Sequence, residues 1–225
     1  MSTVQWRAVG LLAFVPFAIV SVMNVVAEAV GADDLAGAVK PLIIPLLALA
    51  FIVLGPRRPL APCLVLLLAL LFAWLGDIAP TFIVMLAFFL CMQIVYIVLF
   101  WRYLRRSRPA MWSVVYAAWW LVLLVLVGPS SGPLFVPVAV YGLALGAMAV
   151  LATGTTMLTT IGAALFLLSD SVLGITHFVP SLVFPGHDAV VMLTYTAGQL
   201  LIVLGVGSAL RRGEAAAAGR LPLQA

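Results

Sequence analysis

Long apolar stretches alternate with short polar breaks along almost the whole chain. A membrane-spanning helix needs about 20 mostly apolar residues. Eight stretches approach that length, with predicted ranges 6–27, 39–55, 60–78, 80–101, 110–127, 134–152, 157–176 and 189–210. The breaks between them, such as GPRRP, RYLRRSRP and GPSSGP, are rich in residues that favour turns. The pattern predicts an all-α integral membrane protein, a bundle of about eight transmembrane helices. Residues 1–210 are predicted to form its single transmembrane domain, and 211–225 a flexible cytoplasmic tail.

Two pairs of predicted helices carry similar segments. Helices 3 and 7 contain LFAWLGD and LFLLSD, and helices 4 and 8 contain MQIVYIVLF and GQLLIVLGV. Because the members of each pair run in the same direction, the similarity suggests a weak 4+4 parallel repeat.

Composition places the chain in a membrane. Hydrophobic residues make up 66% of it and charged residues only 8%, whereas about a quarter of the residues of a soluble domain are charged. No segment is long and polar enough to fold as a separate aqueous domain. The first apolar segment lacks a small-residue cleavage site, so we interpret it as a retained helix rather than a signal peptide. Cys63 and Cys91 lie inside apolar segments, which gives no sign of a disulfide framework.

The basic residues predict the orientation. In an eight-helix arrangement every arginine falls on one side of the membrane, and only Lys40 falls on the other. The arginines are Arg7, Arg57, Arg58, Arg102, Arg105, Arg106, Arg108, Arg211, Arg212 and Arg220. The positive-inside rule makes that side, and both termini, cytoplasmic. We therefore interpret the net charge of +4 as a topology signal rather than a nucleic-acid footprint. We predict a multi-pass protein of the bacterial inner (plasma) membrane.

Two aspartates interrupt the apolar helices. A charged side chain at the centre of a membrane helix costs roughly 2.5–3.5 kcal/mol on insertion scales, so such residues face the bundle interior or a water-filled cavity. Asp170 lies within predicted helix 7, flanked by Ser169 and Ser171. Asp77 lies at the outer end of helix 3, just before Pro80. Asp170 is therefore the stronger functional candidate, and Asp77 is either a solvated helix-end carboxylate or its partner.

Other polar residues are placed for the same interior. Gln93 and Tyr96 are three residues apart on helix 4, and Tyr195 and Gln199 are four apart on helix 8, so each pair shares a helix face. With Tyr141 on helix 6, these residues either line a cavity or join helices through hydrogen bonds.

Lys40 and Pro41 are predicted to open helix 2 on the outer side, because proline suits the first turn of a helix. An ammonium beside a helix N-terminus would bind the phosphate of a lipid headgroup. The alternative is a lysine that extends to the membrane interface.

No cofactor motif is present. The sequence contains neither a G-x-S-x-G nucleophile elbow nor a phosphate-binding glycine pattern. His177 and His187 lack the helical spacing of a metal site, and we predict no metal and no cofactor.

Six segments resemble successive blocks of the YhhN family, in the family's order: VKPLIIPLLALA, LLFAWLGDI, FIVMLAFFLCMQIVYIVLF, PVAVYGLALGAMAVLA, GAALFLLSDSVLGITHF and LTYTAGQLLIVLG. Members of this family are multi-helix membrane proteins, and characterised ones are lysoplasmalogenases. These enzymes cleave the vinyl ether of a lysoplasmalogen to a fatty aldehyde and a glycerophospho-ethanolamine or -choline. The residues that match the blocks are Lys40, Asp77, Tyr141, Asp170, Tyr195 and Gln199. One position departs from the pattern: Gln93 stands where the helix 4 block usually has histidine.

The resemblance implies a membrane ether hydrolase. A vinyl ether hydrolyses by protonation at carbon, which requires a general acid and a carboxylate that stabilises the resulting cation. Two carboxylates in different environments divide such roles in other enzymes. Asp170, the deeper one, would be the acid and Asp77 the base, or the reverse. The substrate-binding residues would be Lys40, Gln93, Tyr96, Tyr141, Tyr195 and Gln199.

Two other interpretations fit the same residues. Buried carboxylates also serve as proton relays in transporters, so the alternative is a proton-coupled transporter or a lipid-binding membrane protein. A third interpretation makes the polar residues purely structural. For the hydrolase, the predicted partners are the bilayer and a lysophospholipid or ether-lipid substrate, with no nucleic acid, and the sequence leaves the oligomeric state open.

Overall fold

The described part of the chain, residues 12–54 and 59–218 of a computed structural model, consists of helices and their connections. Eight α-helices can be followed in it from end to end: α1 (Val15–Val30), α2 (Asp33–Leu54), α3 (Leu60–Asp77), α4 (Phe82–Leu99), α5 (Val115–Ser131), α6 (Phe135–Ala152), α7 (Met157–Phe178) and α8 (His187–Ala218). A π-helical turn (Phe100–Leu104) extends α4. Single 3₁₀ turns precede α5, α6 and α8, at Met111–Val114, Gly132–Leu134 and Pro180–Leu182. These residues contain no strand, which confirms the all-α prediction.

Six stretches of the described chain are long and apolar enough to cross a membrane. One of them, Met111–Ala152, has 42 residues and contains both α5 and α6. The two helices fold back on each other, since the indole N–H of Trp120 donates to the Ala139 carbonyl at 3.1 Å. The reversal occurs at Gly132, whose φ of +50° lies in the region that favours glycine. With α1 shorter, at 16 residues, the multi-pass architecture is confirmed, whereas the count of eight crossings stays a prediction.

The two ends of the bundle carry opposite charge. Arg105, Arg106 and Arg212 line one surface where the end of α4 meets the end of α8, and we call this the basic end. At the opposite, acidic end, Glu28 interacts electrostatically with Asp33 and Asp188, among other charges. This separation agrees with the charge sorting predicted from the sequence. The side that faces the cytoplasm stays a prediction, and Arg7, Arg57, Arg58 and Arg220 lie outside the described residues.

The α7–α8 pair forms the most extensive helix contact and depends on glycine. A Cβ atom at Gly162 would lie 2.7 Å from the Gly198 carbonyl oxygen, and one at Gly198 would lie 2.9 Å from the Gly162 carbonyl oxygen. Small residues let two membrane helices approach closely and gain packing contacts. The approach fixes the position of α8 against α7, and therefore the position of the polar residues that both helices carry.

Helix α2 differs from its predicted form. It begins at Asp33 rather than residue 39, and Pro41 and Pro45 lie inside it. Proline at 45 has no N–H to donate to the carbonyl of Pro41, four residues earlier. The indole N–H of Trp74 on α3 donates to that carbonyl instead, at 3.0 Å. The neighbouring helix thus satisfies a backbone group that would otherwise lack a partner within the bundle.

Helix α8 is also longer than predicted, since it runs to Ala218 rather than to residue 210. The predicted flexible tail therefore begins with helical residues, and 219–225 lie outside the described residues. The division into a domain and a tail stays a prediction.

Candidate functional site

Each of the two intramembrane aspartates accepts a hydrogen bond from a tyrosine of another helix. The Tyr195 hydroxyl on α8 donates to Asp77 Oδ2 at 2.8 Å. The Tyr141 hydroxyl on α6 donates to Asp170 Oδ2. Both tyrosines are buried, and both aspartates are partly buried. The fold therefore turns four of the sequence-predicted residues into two carboxylate–tyrosine pairs.

The two pairs are separate but close enough for their charges to interact. Tyr195, the partner of Asp77, also belongs to an aromatic cluster, in which its ring lies 6.0 Å from the ring of Phe89 and 5.8 Å from that of Phe166. Asp77 is the last residue of α3, whereas Asp170 lies eight residues before the end of α7 at Phe178. At 1.5 Å per residue this places Asp170 about 12 Å below that helix end. Asp77 therefore lies at the end of its helix, whereas Asp170 lies inside its helix.

A cavity lies between α4, α5, α6 and α7, and we call it the α4–α7 cavity. Its volume is about 70 Å³, compared with roughly 10–15 Å³ needed to hold one water molecule. Asp170 and Tyr141 line it together with Ser171, and most of its wall is apolar. The apolar lining includes Phe82, Leu86, Leu124, Val127, Val138 and Leu173. Asp77 does not line this cavity, so the two carboxylates do not face it together.

The hydroxyl groups of Ser169 and Ser171, which flank Asp170, already have hydrogen-bond partners. The Ser169 hydroxyl donates to the Val191 carbonyl at 2.9 Å. The Ser171 hydroxyl donates to the Leu167 carbonyl at 2.6 Å and accepts from the Trp119 indole at 3.0 Å. Ser169 therefore joins α7 to α8 rather than lining the cavity.

A second polar layer lies deeper, between α4 and α8. The Tyr96 hydroxyl donates to Gln199 Oε1 at 2.6 Å, and Gln199 Nε2 lies 3.3 Å from the Met92 sulfur as a donor. Gln93 is fully buried beside the Tyr141 hydroxyl. Neither polar atom of its amide has a hydrogen-bond partner within the described structure. Gln93 and Tyr96 lie on the same helix, but Tyr96 contacts Gln199 on α8, whereas Gln93 lies beside Tyr141 on α6.

Lys40 is placed differently from the sequence prediction. Because α2 begins at Asp33, Lys40 lies two turns inside the helix, and the expectation that Lys40 and Pro41 open it is wrong. The helix N-terminus therefore gives no support to an anion site at this residue. The Lys40 ammonium instead acts electrostatically on Glu28 of the acidic end and on Asp77 of the Asp77–Tyr195 pair.

The two histidines lie apart from both aspartate pairs. The His177 ring stacks on Phe82 with centroids 3.8 Å apart, and His187 Nδ1 lies 3.1 Å from Asp188 Oδ1. Within the described residues no three potential ligands cluster in a way that could hold a metal ion.

The apolar wall of the cavity could not be predicted from the sequence. Phe82, Leu124 and Val138 line it, yet in the sequence they look like any lipid-facing residue of a spanning helix. Gly142, which also lines the cavity, packs against a large side chain: a Cβ there would lie 3.0 Å from the Trp120 ring. A small residue opposite a large one marks a close helix contact, but it does not indicate a cavity.

Comparison with known proteins supports a single assignment. No curated protein and no solved structure matches this chain. The model of the YhhN family matches residues 35–206, a range that contains both carboxylate–tyrosine pairs, Lys40 and the α4–α7 cavity. Since this match covers well over half of the sequence and agrees with the multi-pass helical fold, the chain belongs to the YhhN family.

Proposed function

We propose that this protein is a membrane hydrolase of the lysoplasmalogenase type. The observation that carries the proposal is Asp170, a carboxyl group paired with Tyr141 at the edge of an otherwise apolar cavity inside the bundle. Such a site suits a substrate whose reacting group is attached directly to a hydrocarbon chain. The vinyl ether of a lysoplasmalogen is a group of this kind, and membership of the YhhN family is consistent with the activity.

The reaction consumes one water molecule. The acid transfers a proton to the β-carbon of the vinyl ether, and the π electrons form the new C–H bond. The α-carbon becomes an oxocarbenium ion, which water captures with loss of a proton to a carboxylate. The hemiacetal hydroxyl then loses its proton and forms the aldehyde C=O as the bond to the glycerol oxygen breaks, and that oxygen takes up the proton.

The geometry favours Asp170 as the acid, because it lines the α4–α7 cavity and Asp77 does not. By elimination Asp77 would be the ionised carboxylate, and its electrostatic interaction with Asp170 indicates that its charge could reach the cation. Tyr141 and Tyr195 would hold the two carboxylates in place through their hydroxyl groups.

The apolar wall of the cavity fits the first carbons of the alkenyl chain, and Lys40 near Asp77 fits the phosphate of the headgroup. Tyr96 and Gln199 are bonded to each other, so in this proposal they support the cavity from below. A direct role in substrate binding would require them to exchange that hydrogen bond.

The test is product analysis with purified protein. Incubation with a 1-alkenyl lysophosphoethanolamine should release a fatty aldehyde and glycerophosphoethanolamine, both detected by mass spectrometry. The matched substrate with a saturated alkyl ether should remain intact, because it has no double bond to protonate. Absence of aldehyde would contradict the proposal. Proton-coupled uptake of the lysolipid into vesicles without product would instead support the transporter interpretation.

A further inference from the structure

An open groove lies at the basic end of the bundle, between the end of α4 and the end of α8, and we call it the basic groove. Its volume is about 980 Å³, at the upper end of the range of roughly 300–1,000 Å³ that small-molecule sites occupy. Three arginines and one glutamate are among the described residues that line it: Arg105, Arg106, Arg212 and Glu214. Because positive charge exceeds negative charge in this lining, the groove favours an anionic ligand.

Apolar residues line the same groove. Leu104 and Leu210 are buried in it, whereas Leu60, the first residue of α3, is 64% exposed. A free phosphate ion gains nothing from apolar surface. A phospholipid would place its phosphate on the arginines and its acyl chains along the apolar residues, and basic pockets between membrane helices bind lipid headgroups in this way.

The arginines of α4 are held by ordered backbone. The π-helical turn that extends α4 ends just before Arg105, and π-turns occur often at functional sites. The N–H groups of Arg106 and Ser107 donate to the Gly154 carbonyl at 2.9 and 3.3 Å, which joins this segment to the turn between α6 and α7. The Arg105 guanidinium lies 4.1 Å from the centre of the Trp101 ring, a contact that stabilises its position. The segment that carries both arginines is therefore fixed against the bundle.

Helix α8 contributes the third arginine. One nitrogen of Arg212 donates to the Ser208 hydroxyl at 3.3 Å, one turn earlier in the helix. A guanidinium group has five N–H donors, so Arg212 keeps donors for a ligand. Guanidinium groups bind phosphate oxygens through pairs of parallel hydrogen bonds. Two helices that are distant in the sequence thus place arginines around one groove, as the recognition of a phosphate requires.

We propose that the basic groove binds an anionic phospholipid from the leaflet next to the basic end. Arg105, Arg106 and Arg212 would bind the phosphate, and the acyl chains would lie against Leu60 and continue along the outside of the bundle. Leu60 and Asp77 are the two ends of α3, so this site is separate from the carboxylate–tyrosine pairs. The inference is therefore independent of the proposed function, and either one can fail without the other.

The test compares the lipids that the purified protein retains. Native mass spectrometry after incubation with equal amounts of phosphatidylglycerol and phosphatidylcholine gives the ratio of the two bound species. The wild type should prefer phosphatidylglycerol, because the arginines repel the choline cation. The double variant Arg105→Gln with Arg106→Gln should reduce this preference by about tenfold or more, the equivalent of one lost hydrogen bond to a charged group. An unchanged preference would overturn the proposal.

The matched control is the double variant Arg102→Gln with Arg108→Gln. It removes the same charge from the same segment, and both residues are exposed, but neither is among the described residues that line the groove. Its preference for phosphatidylglycerol should equal that of the wild type. Equal losses in the two double variants would show a general effect of surface charge and would contradict a defined site.

Gly213→Phe tests the groove without changing any charge. Gly213 lines the groove, and a Cβ there would meet no described heavy atom within 4 Å, so a ring can occupy the space without disturbing the helix. This variant should lose the preference for phosphatidylglycerol. Gly37→Phe is its control, because Gly37 on α2 is equally unobstructed and does not line the groove. Normal preference in Gly213→Phe, or the same loss in Gly37→Phe, would count against the proposal.

A competition experiment separates a lipid site from a site for free phosphate. Inorganic phosphate at the concentration of the lipid should leave bound phosphatidylglycerol in place, since the ion cannot use the apolar residues of the groove. Displacement of the lipid at that concentration would show that the groove is a site for the phosphate ion and would overturn the lipid proposal.

Discussion

At the scale of single residues, the two aspartates differ in what surrounds them although each accepts a hydrogen bond from a buried tyrosine. Asp170 opens onto an apolar cavity, and Asp77 ends its helix near the ammonium of Lys40. In the proposed reaction Asp170 is the acid because it lines the cavity that would hold the alkenyl chain, and Asp77 is its partner outside that cavity.

The first prediction concerns this pair. Asp77→Asn and Asp170→Asn retain shape and polarity but cannot exchange a proton. Each should lower turnover of an alkenyl lysolipid by about 10²- to 10⁴-fold, the usual range for general acid–base catalysis. The double variant should be little worse than the weaker single one, because residues that act as a unit are not additive.

Asp34→Asn is the control for these variants, because Asp34 is exposed at the start of α2. Its turnover should match the wild type in the same aldehyde assay. Wild-type turnover in both Asp77→Asn and Asp170→Asn, with normal insertion, would refute the paired-carboxylate mechanism.

The second prediction concerns Lys40. If its ammonium binds the substrate phosphate, Lys40→Met should raise KM for a lysophospholipid by one to two orders of magnitude. This range corresponds to about 1.5–3 kcal/mol for a hydrogen bond to a charged group. The effect on kcat should be smaller, and Lys40→Arg, which keeps the charge, should retain most of the affinity. An unchanged KM in Lys40→Met would show that the lysine has only an interfacial role.

At the scale of helices, packing depends on apolar contact and also on side chains of one helix that satisfy backbone groups of another. Pro45 deprives the Pro41 carbonyl of its helical donor, and Trp74 on α3 replaces it. This hydrogen bond joins the proline-containing part of α2 to the neighbouring helix α3. In the same way the glycines at the α7–α8 contact permit an approach that any side chain would prevent.

The third prediction tests the exchanged partner. Trp74→Phe keeps an aromatic ring but leaves the Pro41 carbonyl without a donor, which should cost about 1–3 kcal/mol of stability. In a Pro45→Ala background the helix regains its own N–H, so Trp74→Phe should cost less there. The measurement is the unfolding free energy of the four proteins in detergent. Equal costs in both backgrounds would show that the Trp74 bond does not compensate for Pro45.

At the scale of the whole molecule, charge divides the bundle into a basic and an acidic end. The positive-inside rule assigns the basic end to the cytoplasm. The α4–α7 cavity with Asp170 would then open toward the extracytoplasmic half, as expected for a site reached by lipids of the outer leaflet.

The fourth prediction is this orientation. Reporter fusions at Arg105 and at the C-terminus should read cytoplasmic, and fusions near Asp33 and His187 should read external. The physical reason is that all the arginines of the sequence fall on one side of the predicted arrangement. An external signal at Arg105 would reverse the orientation and place the cavity on the cytoplasmic side.

The helical membrane architecture could be predicted from the sequence because a bilayer requires long apolar segments whose backbone bonds are satisfied internally. The first and last residues of the helices could be predicted less well. Asp33 and Asp34 look like a loop, yet carboxylates stabilise the first turn of a helix through its dipole, and α2 begins there. Similarly, Asp188 lies in the first turn of α8, which begins at His187 rather than at residue 189.

The candidate residues could also be selected from the sequence, because a carboxylate or amide in an apolar helix is costly wherever it faces. Their partners could not. Tyr195 lies 118 residues from Asp77, and Tyr96 lies 103 from Gln199. Spacing along one helix determines which residues share a face, but not which neighbouring helix that face meets. Only the packing of the helices decided that Tyr96 and Gln199 bond each other, and that Asp170 alone of the two carboxylates reaches the cavity.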